Sequence, residues 1–332
     1  MNGVGQSVGV GVWGLGRHAR RKILPALAAC PATSLVGVTT RDVRVAREEA
    51  GRYGCSAWRT PEEMLSDPDV DAVYVATPTG LHHTHGAMVL RAGKHLWCEK
   101  AIAATLSQAQ ELVQLSREHD RTLCEALMYL YHPQFTTIRQ MVADGSLGNV
   151  LSLRSQFGIP RLEQPGFRFE RDLGGGALLD LAIYPVSAAL TLLGPDLRLM
   201  QSSVVQPVGA DVDTHGFALL STNTGAGVYL EWGYERAYKN EISIWGETGS
   251  LHSDLIFSKA TDYAPDVSTR DKQGKVEHVE IEPADSFSLM FLAFSEAVRD
   301  PSRRDVLREE VELVATYMDS LRQAAEPVRY SH

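Results

Sequence analysis

The sequence has few cysteines, a shortage of positive charge and no long uninterrupted apolar run. The four cysteines, Cys30, Cys55, Cys98 and Cys124, form no CxxC pair, so neither a disulfide framework nor a zinc knuckle is expected. Reduced thiols are typical of a cytoplasmic protein. With 32 Lys and Arg against 41 Asp and Glu, the net charge of −9 opposes nonspecific binding to nucleic acid or anionic membranes. A small-molecule partner is the better expectation.

The length of the chain and the pattern of its apolar residues argue against a membrane-spanning or a secreted protein. The longest apolar stretch, residues 177–193, contains Asp180 and Pro185, so it predicts a buried helix rather than a membrane span. The first apolar run, Val8–Trp13, leads into a glycine-rich turn instead of a signal-peptide cleavage site. Hydrophobic residues make up 44% and charged residues 22% of the chain, as in ordinary globular proteins. The 332 residues favour two domains.

Residues 1–125 alternate between strand-like and helix-like patterns, which predicts a parallel sheet with helical crossovers, an α/β Rossmann domain. The candidate strands are residues 8–13, 34–39, 72–76, 95–98 and 122–126, and the candidate helices are 17–28, 43–53, 81–92 and 106–119.

Residues 126–332 read as an α+β substrate and oligomerisation domain with long strands and few crossovers. Its C-terminal helices are expected to pack back on the first domain. The candidate strands are residues 150–157, 197–205, 215–222, 227–234 and 241–245, and the candidate helices are 132–143, 176–193, 287–298 and 306–325.

The first strand is followed by Gly14-Leu15-Gly16-Arg17-His18-Ala19, the G-x-G-x-x-A form of the dinucleotide fingerprint. Small residues let the backbone approach a pyrophosphate, and the helix N-terminus offers oriented N–H donors. Since the motif stands between a strand and a helix, we expect it to bind a dinucleotide rather than form a structural turn.

The second strand ends in Thr39-Thr40-Arg41-Asp42, where NAD enzymes place an acid on the ribose hydroxyls. Thr40 and Arg41 precede the acid here, and a guanidinium suits a 2′-phosphate, so NADP(H) is favoured over NAD(H). The alternative is that Arg41 is a solvated loop charge while Asp42 caps the next helix or binds the ribose.

Two further strands end in Thr77-Pro78 with His82 nearby, and in Glu99-Lys100. Ligands bind at the carboxyl ends of strands in such sheets, which makes Lys100 the first catalytic candidate. His82, His83 and His85 could suggest a metal, but no Cys or carboxylate nearby completes a ligand set, and we predict no metal site.

Three glycines, Gly174, Gly175 and Gly176, precede an apolar helix that carries Asp180 and Tyr184. Residues four apart share a helical face, so this ionisable pair is a catalytic candidate. The alternative is that Asp180 accepts bonds from nearby donors while Tyr184 only packs.

These motifs together resemble the oxidoreductases named for glucose-fructose oxidoreductase, inositol dehydrogenase and a rhizopine-catabolism protein. The matching residues lie in order over nearly the whole chain. The resemblance implies a Rossmann domain followed by an α+β domain with a large, mostly antiparallel open sheet, through which subunits often join. It maps Lys100 onto the catalytic lysine. The expected cofactor-binding residues are Gly14, Gly16, Arg17, His18, Thr40, Arg41, Thr77, Pro78, His82, Glu99, Lys100 and Arg168.

The sequence departs from the family at two positions. Ala101 replaces the proline that normally follows the Glu-Lys pair, so the backbone beyond Lys100 is expected to differ. Tyr184 replaces a frequent histidine, as in the branch containing dihydrodiol dehydrogenase and the nucleotide-sugar 3-ketoreductases of antibiotic deoxysugar pathways. Residues 238–242 and 245–251 add similarity to the ketoreductases. Arg168 is either a substrate or cofactor contact or a solvated loop charge.

The favoured function is NADPH-dependent reduction of a keto-sugar, and the favoured substrate is a nucleotide-linked 3-keto-deoxysugar. Tyr184 would donate the proton, Lys100 would stabilise the developing oxyanion, and Asp180 would orient one of them. The alternatives are oxidation of an aldose or cyclic diol, and a noncatalytic NADP-binding sensor.

The strand at residues 227–234 places Val228, Leu230, Trp232 and Tyr234 on one face, and residues 217–220 are apolar on both faces. One helix, residues 176–193, is not expected to cover this surface. An uncovered apolar sheet tends to become a subunit interface, which predicts a homodimer or homotetramer.

Overall fold

The computed structural model describes residues 7–164 and 166–328; the chain ends at 1–6 and 329–332, which the predicted domain ranges include, lie outside the described residues. The chain divides into two compact units. The first comprises Met1–Leu127 and Phe287–Glu312, and the second Met128–Ser286 and Leu313–His332.

The first unit is built on a six-stranded parallel sheet in the order β3-β2-β1-β4-β5-β6. This is the strand order of dinucleotide-binding folds, in which the order of the strands along the sheet reverses between β1 and β4 while all strands stay parallel. The strands are β1 (Val8–Trp13), β2 (Thr33–Thr39), β3 (Ser56–Ala57), β4 (Ala72–Val75), β5 (His95–Cys98) and β6 (Leu123–Glu125).

The helices of this unit begin at caps that the sequence supplies. Asp42, Thr60 and Thr105 each accept a backbone N–H of the first turn, which satisfies donors that a helix cannot pair internally. The helices are α1 (Leu24–Ala29), preceded by a π-helical turn (Ala19–Ile23), α2 (Val43–Tyr53), α3 (Pro61–Ser66), α4 (Thr79–Arg91), α5 (Leu106–Glu118), α8 (Ser286–Arg299) and α9 (Ser302–Ala324), the last divided between the units at residue 312.

The second unit contains a nine-stranded sheet in the order β14-β13-β12-β11-β7-β10-β9-β8-β15. All neighbours are antiparallel except the pairs β7–β10 and β8–β15. The strands are β7 (Val150–Gly158), β8 (Leu197–Val205), β9 (His215–Thr222), β10 (Gly227–Gly233), β11 (Lys239–Gly246), β12 (Gly249–Asp254), β13 (Asp266–Asp271), β14 (Val276–Glu280) and β15 (Ala325–Val328). The α/β plus mostly antiparallel α+β architecture is confirmed.

One face of this sheet is covered by the π-helical turn Leu178–Ala182 and by α7 (Ile183–Leu193), with α6 (Pro133–Ala143) alongside. By length and composition the segment Arg171–Leu193 could cross a bilayer, yet 83% of its most apolar window is buried in the protein. That burial is the pattern of a core helix, as the interrupting Asp180 and Pro185 predicted.

One of the two apolar sheet faces is buried and the other is exposed. Val228, Leu230 and Trp232 are 0–3% exposed because they pack beneath the 178–193 helix. The opposite face carries the exposed side chains: Trp245 is 63% exposed and Tyr229 49%. The side chains of a strand alternate, so the helix covers one face only and leaves the other exposed, in line with the expectation that one helix would not cover the whole sheet.

Sequence patterns located most elements to within two residues and missed the short or polar ones. The missed elements are β3, α3, β12, β13, β14 and β15. The helix predicted over 176–193 contains a π-helical first turn, and the one predicted over 17–28 does too. Short polar strands carry little apolar alternation, which is why the periodicity did not reveal them.

Candidate active site

The glycine-rich turn follows β1 at the carboxyl edge of the parallel sheet. Gly14 has φ +105°, and a Cβ there would lie 2.8 Å from the Ala76 carbonyl, so only glycine fits between the two loops. A Cβ on Gly16 would meet no heavy atom within 4 Å. Gly16, Arg17 and His18 are exposed. The turn therefore leaves open space at the N-terminus of the following helix, as a pyrophosphate requires.

The loop after β2 separates the roles of Arg41 and Asp42. The Asp42 carboxylate caps α2 by accepting the Arg44 N–H at 2.9 Å, and the Arg44 guanidinium pairs with it at 3.0 Å. These bonds lower the pKa of Asp42. Arg41 is exposed, and Thr40 is partly buried. The helix-capping role weighed for Asp42 is confirmed.

His82 is 1% exposed and bridges two loops of the same edge. Its Nε2 lies 2.7 Å from the Thr77 carbonyl oxygen and its Nδ1 lies 2.8 Å from the Ala101 carbonyl oxygen. Thr77 also bonds His85 through its hydroxyl at 3.0 Å, and the His85 ring stacks on Trp13 at 4.0 Å. The imidazole that was expected to contact a cofactor thus ties the loop at Thr77-Pro78 to the loop after Lys100.

Glu99 is held in its ionised form. Burial raises its pKa, but His18, the Tyr74 hydroxyl and the Lys100 ammonium outweigh burial and bring the pKa to about 2. His18 Nε2 lies 3.3 Å from Glu99 Oε1, and the Tyr74 hydroxyl donates to the same oxygen at 2.6 Å. Two predicted site residues, His18 and Glu99, are therefore brought together.

Lys100 directly follows Glu99 at the end of β5, and its peptide bond to Ala101 is cis. The next peptide N–H, that of Ile102, donates to Glu125 Oε1 at 2.6 Å. Glu125 ends β6, the neighbouring parallel strand. Lys100 therefore stands beside two carboxyl groups at the edge of the sheet.

In the second unit, Asp180 is a buried carboxylate with two strong partners. Arg168 Nε donates to Asp180 Oδ2 at 2.7 Å, and the Tyr234 hydroxyl lies 3.0 Å from the same oxygen. Burial and the Asp180 charge raise the pKa of Tyr234, so this phenol stays protonated and can donate. The alternative of Arg168 as a solvated loop charge is wrong, since its guanidinium pairs with a carboxylate that is 6% exposed as a residue.

Tyr184 lies one helical turn beyond Asp180 and is 8% exposed. The Phe157 ring packs edge-on against the Tyr184 ring, with 5.1 Å between the ring centroids. The Tyr129 and Phe257 rings are tilted against it, with centroid distances of 5.9 and 5.4 Å. This aromatic surround fixes the position of the phenol.

The helix carrying both residues is capped from a loop. Asp213 Oδ2 accepts the Leu178 N–H at 2.7 Å, and the Asp213 carbonyl accepts the Ala177 N–H at 3.1 Å. A Cβ on Gly176 would lie 2.3 Å from Asp213 Oδ1, which explains this glycine. The cap sets where the Asp180 helix begins.

The three histidines for which no metal site is predicted each bond a different partner. His83 bonds Glu111 at 2.8 Å, whereas His82 bonds the Ala101 carbonyl and His85 bonds the Thr77 hydroxyl. Among the described residues, one group, Glu241, His252 and Asp254, places three potential ligand atoms within 4.8 Å of one another. It lies on the exposed sheet face, where the Lys239 ammonium already pairs with Glu241 at 2.8 Å.

Comparison with known proteins matches residues 8–127 to the oxidoreductase family with the NAD-binding Rossmann fold, and residues 135–252 to the GFO/IDH/MocA C-terminal domain. The chain belongs to the GFO/IDH/MocA oxidoreductase family. It is similar to the dTDP-3,4-didehydro-2,6-dideoxy-α-D-glucose 3-reductase of Streptomyces antibioticus, with 34% identity over 95% of this chain and 93% of the relative.

Two other relatives define the range of this similarity. A crystal structure of a 3-ketoreductase from Actinomadura kijaniata in complex with NADP and TDP-benzene superposes with a TM-score of 0.93 at 33% identity, covering 98% of this chain and all of that one. The D-xylose 1-dehydrogenase (NADP(+)) 2 of Haloferax volcanii is 28% identical over 98% of this chain and 97% of the relative. The family resemblance and the enzyme class expected from the motifs are confirmed.

Sequence reasoning missed Glu125, Asp213 and Tyr234. Glu125 could have been found, because it ends a predicted parallel strand, where functional groups of this family collect. Tyr234 follows β10 on the same face as Trp232, and only the folded sheet brings it to Asp180. Asp213 lies in a loop with no periodic signal.

Asp213 gives a prediction about stability and pH. Burial raises its folded pKa from 3.8 to about 6, against the opposing bonds from Leu178 and its own backbone and the Arg322 charge. The folded state therefore binds this proton more tightly than the unfolded state, and stability falls as pH rises from about 4 to about 6. Asp213→Asn keeps an acceptor for Leu178 but cannot ionise.

We expect the melting temperature of Asp213→Asn, relative to that of the wild type, to increase between pH 4 and pH 7. Thermal unfolding across this range measures the difference. The exposed Asp211 supplies the control, since Asp211→Asn should follow the wild type at every pH. A constant difference between Asp213→Asn and the wild type would contradict the assignment.

Proposed function

We propose that the protein is an NADPH-dependent ketoreductase that acts on a nucleotide-linked 3-keto-deoxysugar. The observation that carries the proposal is the similarity to dTDP-sugar 3-reductases at 34% identity over 95% of the chain, in a protein that keeps Lys100, Asp180 and Tyr184. The Actinomadura kijaniata 3-ketoreductase has also been crystallised with a lysine replaced by alanine or glutamate and with a tyrosine replaced by phenylalanine, the residue types of Lys100 and Tyr184. The relatives from Streptomyces antibioticus and Actinomadura kijaniata favour a role in antibiotic deoxysugar biosynthesis.

The first unit fits NADP(H) at the carboxyl edge of its sheet. The predicted cofactor residues of this unit lie on the loops after β1, β2, β4 and β5, except His82, which lies in the first turn of α4. The space beyond Gly16 is open to a pyrophosphate. The exposed Arg41 is available for a 2′-phosphate, while Asp42 is engaged at the cap of α2. The bound cofactor supplies the hydride.

The chain's own residues would manage the proton and the charge. A phenol keeps its proton at neutral pH yet is far more acidic than the alcohol being formed, so Tyr184 is the proposed proton donor. The Lys100 ammonium would hydrogen-bond the same substrate oxygen and stabilise its developing negative charge. Asp180 would hold Arg168 and Tyr234 around the substrate rather than donate a proton, because both donors keep it ionised.

The same residues could serve the oxidative direction on an aldose or a cyclic diol. The similarity to the Haloferax volcanii D-xylose dehydrogenase favours this second candidate, although its identity of 28% is below that of the 3-reductases. A noncatalytic NADP-binding sensor is disfavoured, because such a protein has no need of Lys100 and Tyr184 together.

Turnover tests the catalytic pair. Tyr184→Phe should lower kcat for a TDP-linked 3-keto-sugar by about 10²- to 10⁴-fold, the usual cost of losing a general acid, and Lys100→Ala should do similar or greater damage. Cofactor affinity of Tyr184→Phe should stay near the wild-type value. Stopped-flow absorbance of NADPH and calorimetric titration provide the two measurements.

If the two groups act on one oxygen, the double variant should be far less impaired than the product of the single effects. Near-normal turnover of Tyr184→Phe would instead assign proton donation to Lys100. A wild type that reduces no keto-sugar but oxidises aldoses would replace the favoured function by the second candidate.

Cofactor choice is tested through Arg41. Arg41→Ala should weaken NADP(H) binding by about 1.5–3 kcal/mol, the range for hydrogen bonds to charged groups, and leave NAD(H) binding unchanged. Arg47→Ala is the matched control, since Arg47 is another exposed arginine, on α2. Titration calorimetry with both cofactors measures the difference, and unaltered discrimination in Arg41→Ala would overturn the assignment.

We further infer that the protein is a homodimer or homotetramer joined through the exposed face of the nine-stranded sheet, and that it works in the cytoplasm, where its four thiols stay reduced. Trp245 on β11, Tyr229 on β10 and Phe217 on β9 are 41–63% exposed on that face, with β7 between the first two strands. Aromatic side chains of this size are typical anchors of protein interfaces.

Replacing one anchor tests the interface. Trp245→Glu should shift the protein toward monomer in sedimentation velocity, with a loss of at least about 1.4 kcal/mol, or tenfold in Kd. Val208→Glu is the control, because Val208 is 67% exposed in a loop outside the sheet. A stable wild-type monomer at micromolar concentration would contradict the proposal.

A further inference from the structure

The peptide that joins Ala101 to Ile102 is held at both of its polar atoms by side chains from other elements. His82, on α4, bonds the Ala101 carbonyl at 2.8 Å, and Glu125, at the end of β6, accepts the Ile102 N–H at 2.6 Å. This peptide lies one residue beyond Lys100. A side-chain partner on each side leaves the turn after Lys100 little freedom to rotate.

Glu125 is placed by the sheet and not by a flexible loop. Glu125 is the partner of Cys98 in the parallel pairing of β5 and β6. The N–H of the next residue, Ala126, donates to the Cys98 carbonyl at 2.8 Å. The Glu125 backbone is therefore fixed beside the last residue before Glu99 and Lys100. From this position its carboxyl reaches the Ile102 N–H.

We propose that Glu125 is a positioning residue: with His82 it fixes the turn that presents Lys100 to the substrate oxygen. The proposal rests on the proposed function in so far as Lys100 acts on a substrate carbonyl. Glu125 itself touches neither substrate nor cofactor in this proposal.

The charges around this carboxyl place its titration in the working range of the enzyme. Burial raises the pKa of Glu125 to about 7; the Ile102 N–H and the Lys100 ammonium lower it, and the Glu99 carboxylate raises it further. His82, the remaining titratable group at the turn, has a pKa lowered by burial. The thiols of Cys98 and Cys124 have pKa values raised well above their usual range and stay neutral.

The sign of the effect follows from these charges. Below about pH 7 Glu125 is neutral, and its carbonyl oxygen still accepts the Ile102 N–H. Above that pH the negative charge of the carboxylate attracts the Lys100 ammonium and weakens the stabilisation that this ammonium gives to the substrate oxygen. The rate of reduction should therefore fall as pH rises through about 7, well below the range in which an ordinary phenol ionises.

Two variants separate the charge from the contact. Glu125→Gln keeps an acceptor for Ile102 and cannot ionise, so kcat should stay near the wild-type low-pH value and lose its decline near pH 7. Glu125→Ala removes the contact, and kcat should drop roughly 10- to 100-fold at every pH, as for a misplaced catalytic group, while KM for NADPH changes little. Glu118→Gln is the control, because Glu118 is an exposed carboxylate on α5 that accepts from Gln114. It should keep the wild-type profile.

A second readout does not depend on turnover. Infrared difference spectra of cofactor-free Asp213→Asn, which lacks the other buried carboxyl that titrates near this range, should show a protonated carboxyl band that disappears as pH is raised from 6 to 8. The band should be missing when Glu125→Gln is added and present when Glu118→Gln is added. If the wild type reduces no keto-sugar yet Asp213→Asn shows this band, the proposed function fails and the placement of Glu125 stands. An unchanged pH profile in Glu125→Gln, or the lack of the band in Asp213→Asn, would overturn the inference.

Discussion

The common direction of the strands in the first sheet is the constraint on which its proposed site depends. All six strands are parallel, so their carboxyl ends lie along one edge, and every loop that carries a candidate residue in this unit leaves from that edge. Gly14 makes the arrangement tight, because its lack of a side chain lets the first loop touch the loop after β4. The site is thus a consequence of topology before it is one of individual side chains.

The buried carboxyl groups divide into two kinds according to whether a strong donor or a cation reaches them. Glu99 meets His18 and Tyr74, which hold it as an anion in spite of burial, and Asp180 accepts from Arg168 and Tyr234. Glu125 accepts the Ile102 N–H, and burial raises its pKa to about 7. A carboxyl of the first kind organises donors around it, whereas burial dominates the pKa of a carboxyl of the second kind.

The second sheet shows how one helix can organise a large surface. The turn Leu178–Ala182 and α7 cover the face formed by Val228, Leu230 and Trp232, and the same helix carries Asp180 and Tyr184. Packing against the sheet therefore fixes the functional side chains as well as the core. The face left exposed bears Trp245 and Tyr229, which favours its use between subunits.

The sequence by itself determined the two-part architecture, the glycine turn, and the positions of Lys100, Asp180 and Tyr184 along the chain, because apolar periodicity and glycine motifs are local signals. It did not determine which sheet face is buried, since a face is decided by the element that packs on it. Nor did it show that Arg168 and Tyr234 meet on Asp180, or that His82 and Glu125 hold the peptide after Lys100. Those contacts join residues 12 to 54 positions apart, and only tertiary packing brings such groups within hydrogen-bond distance.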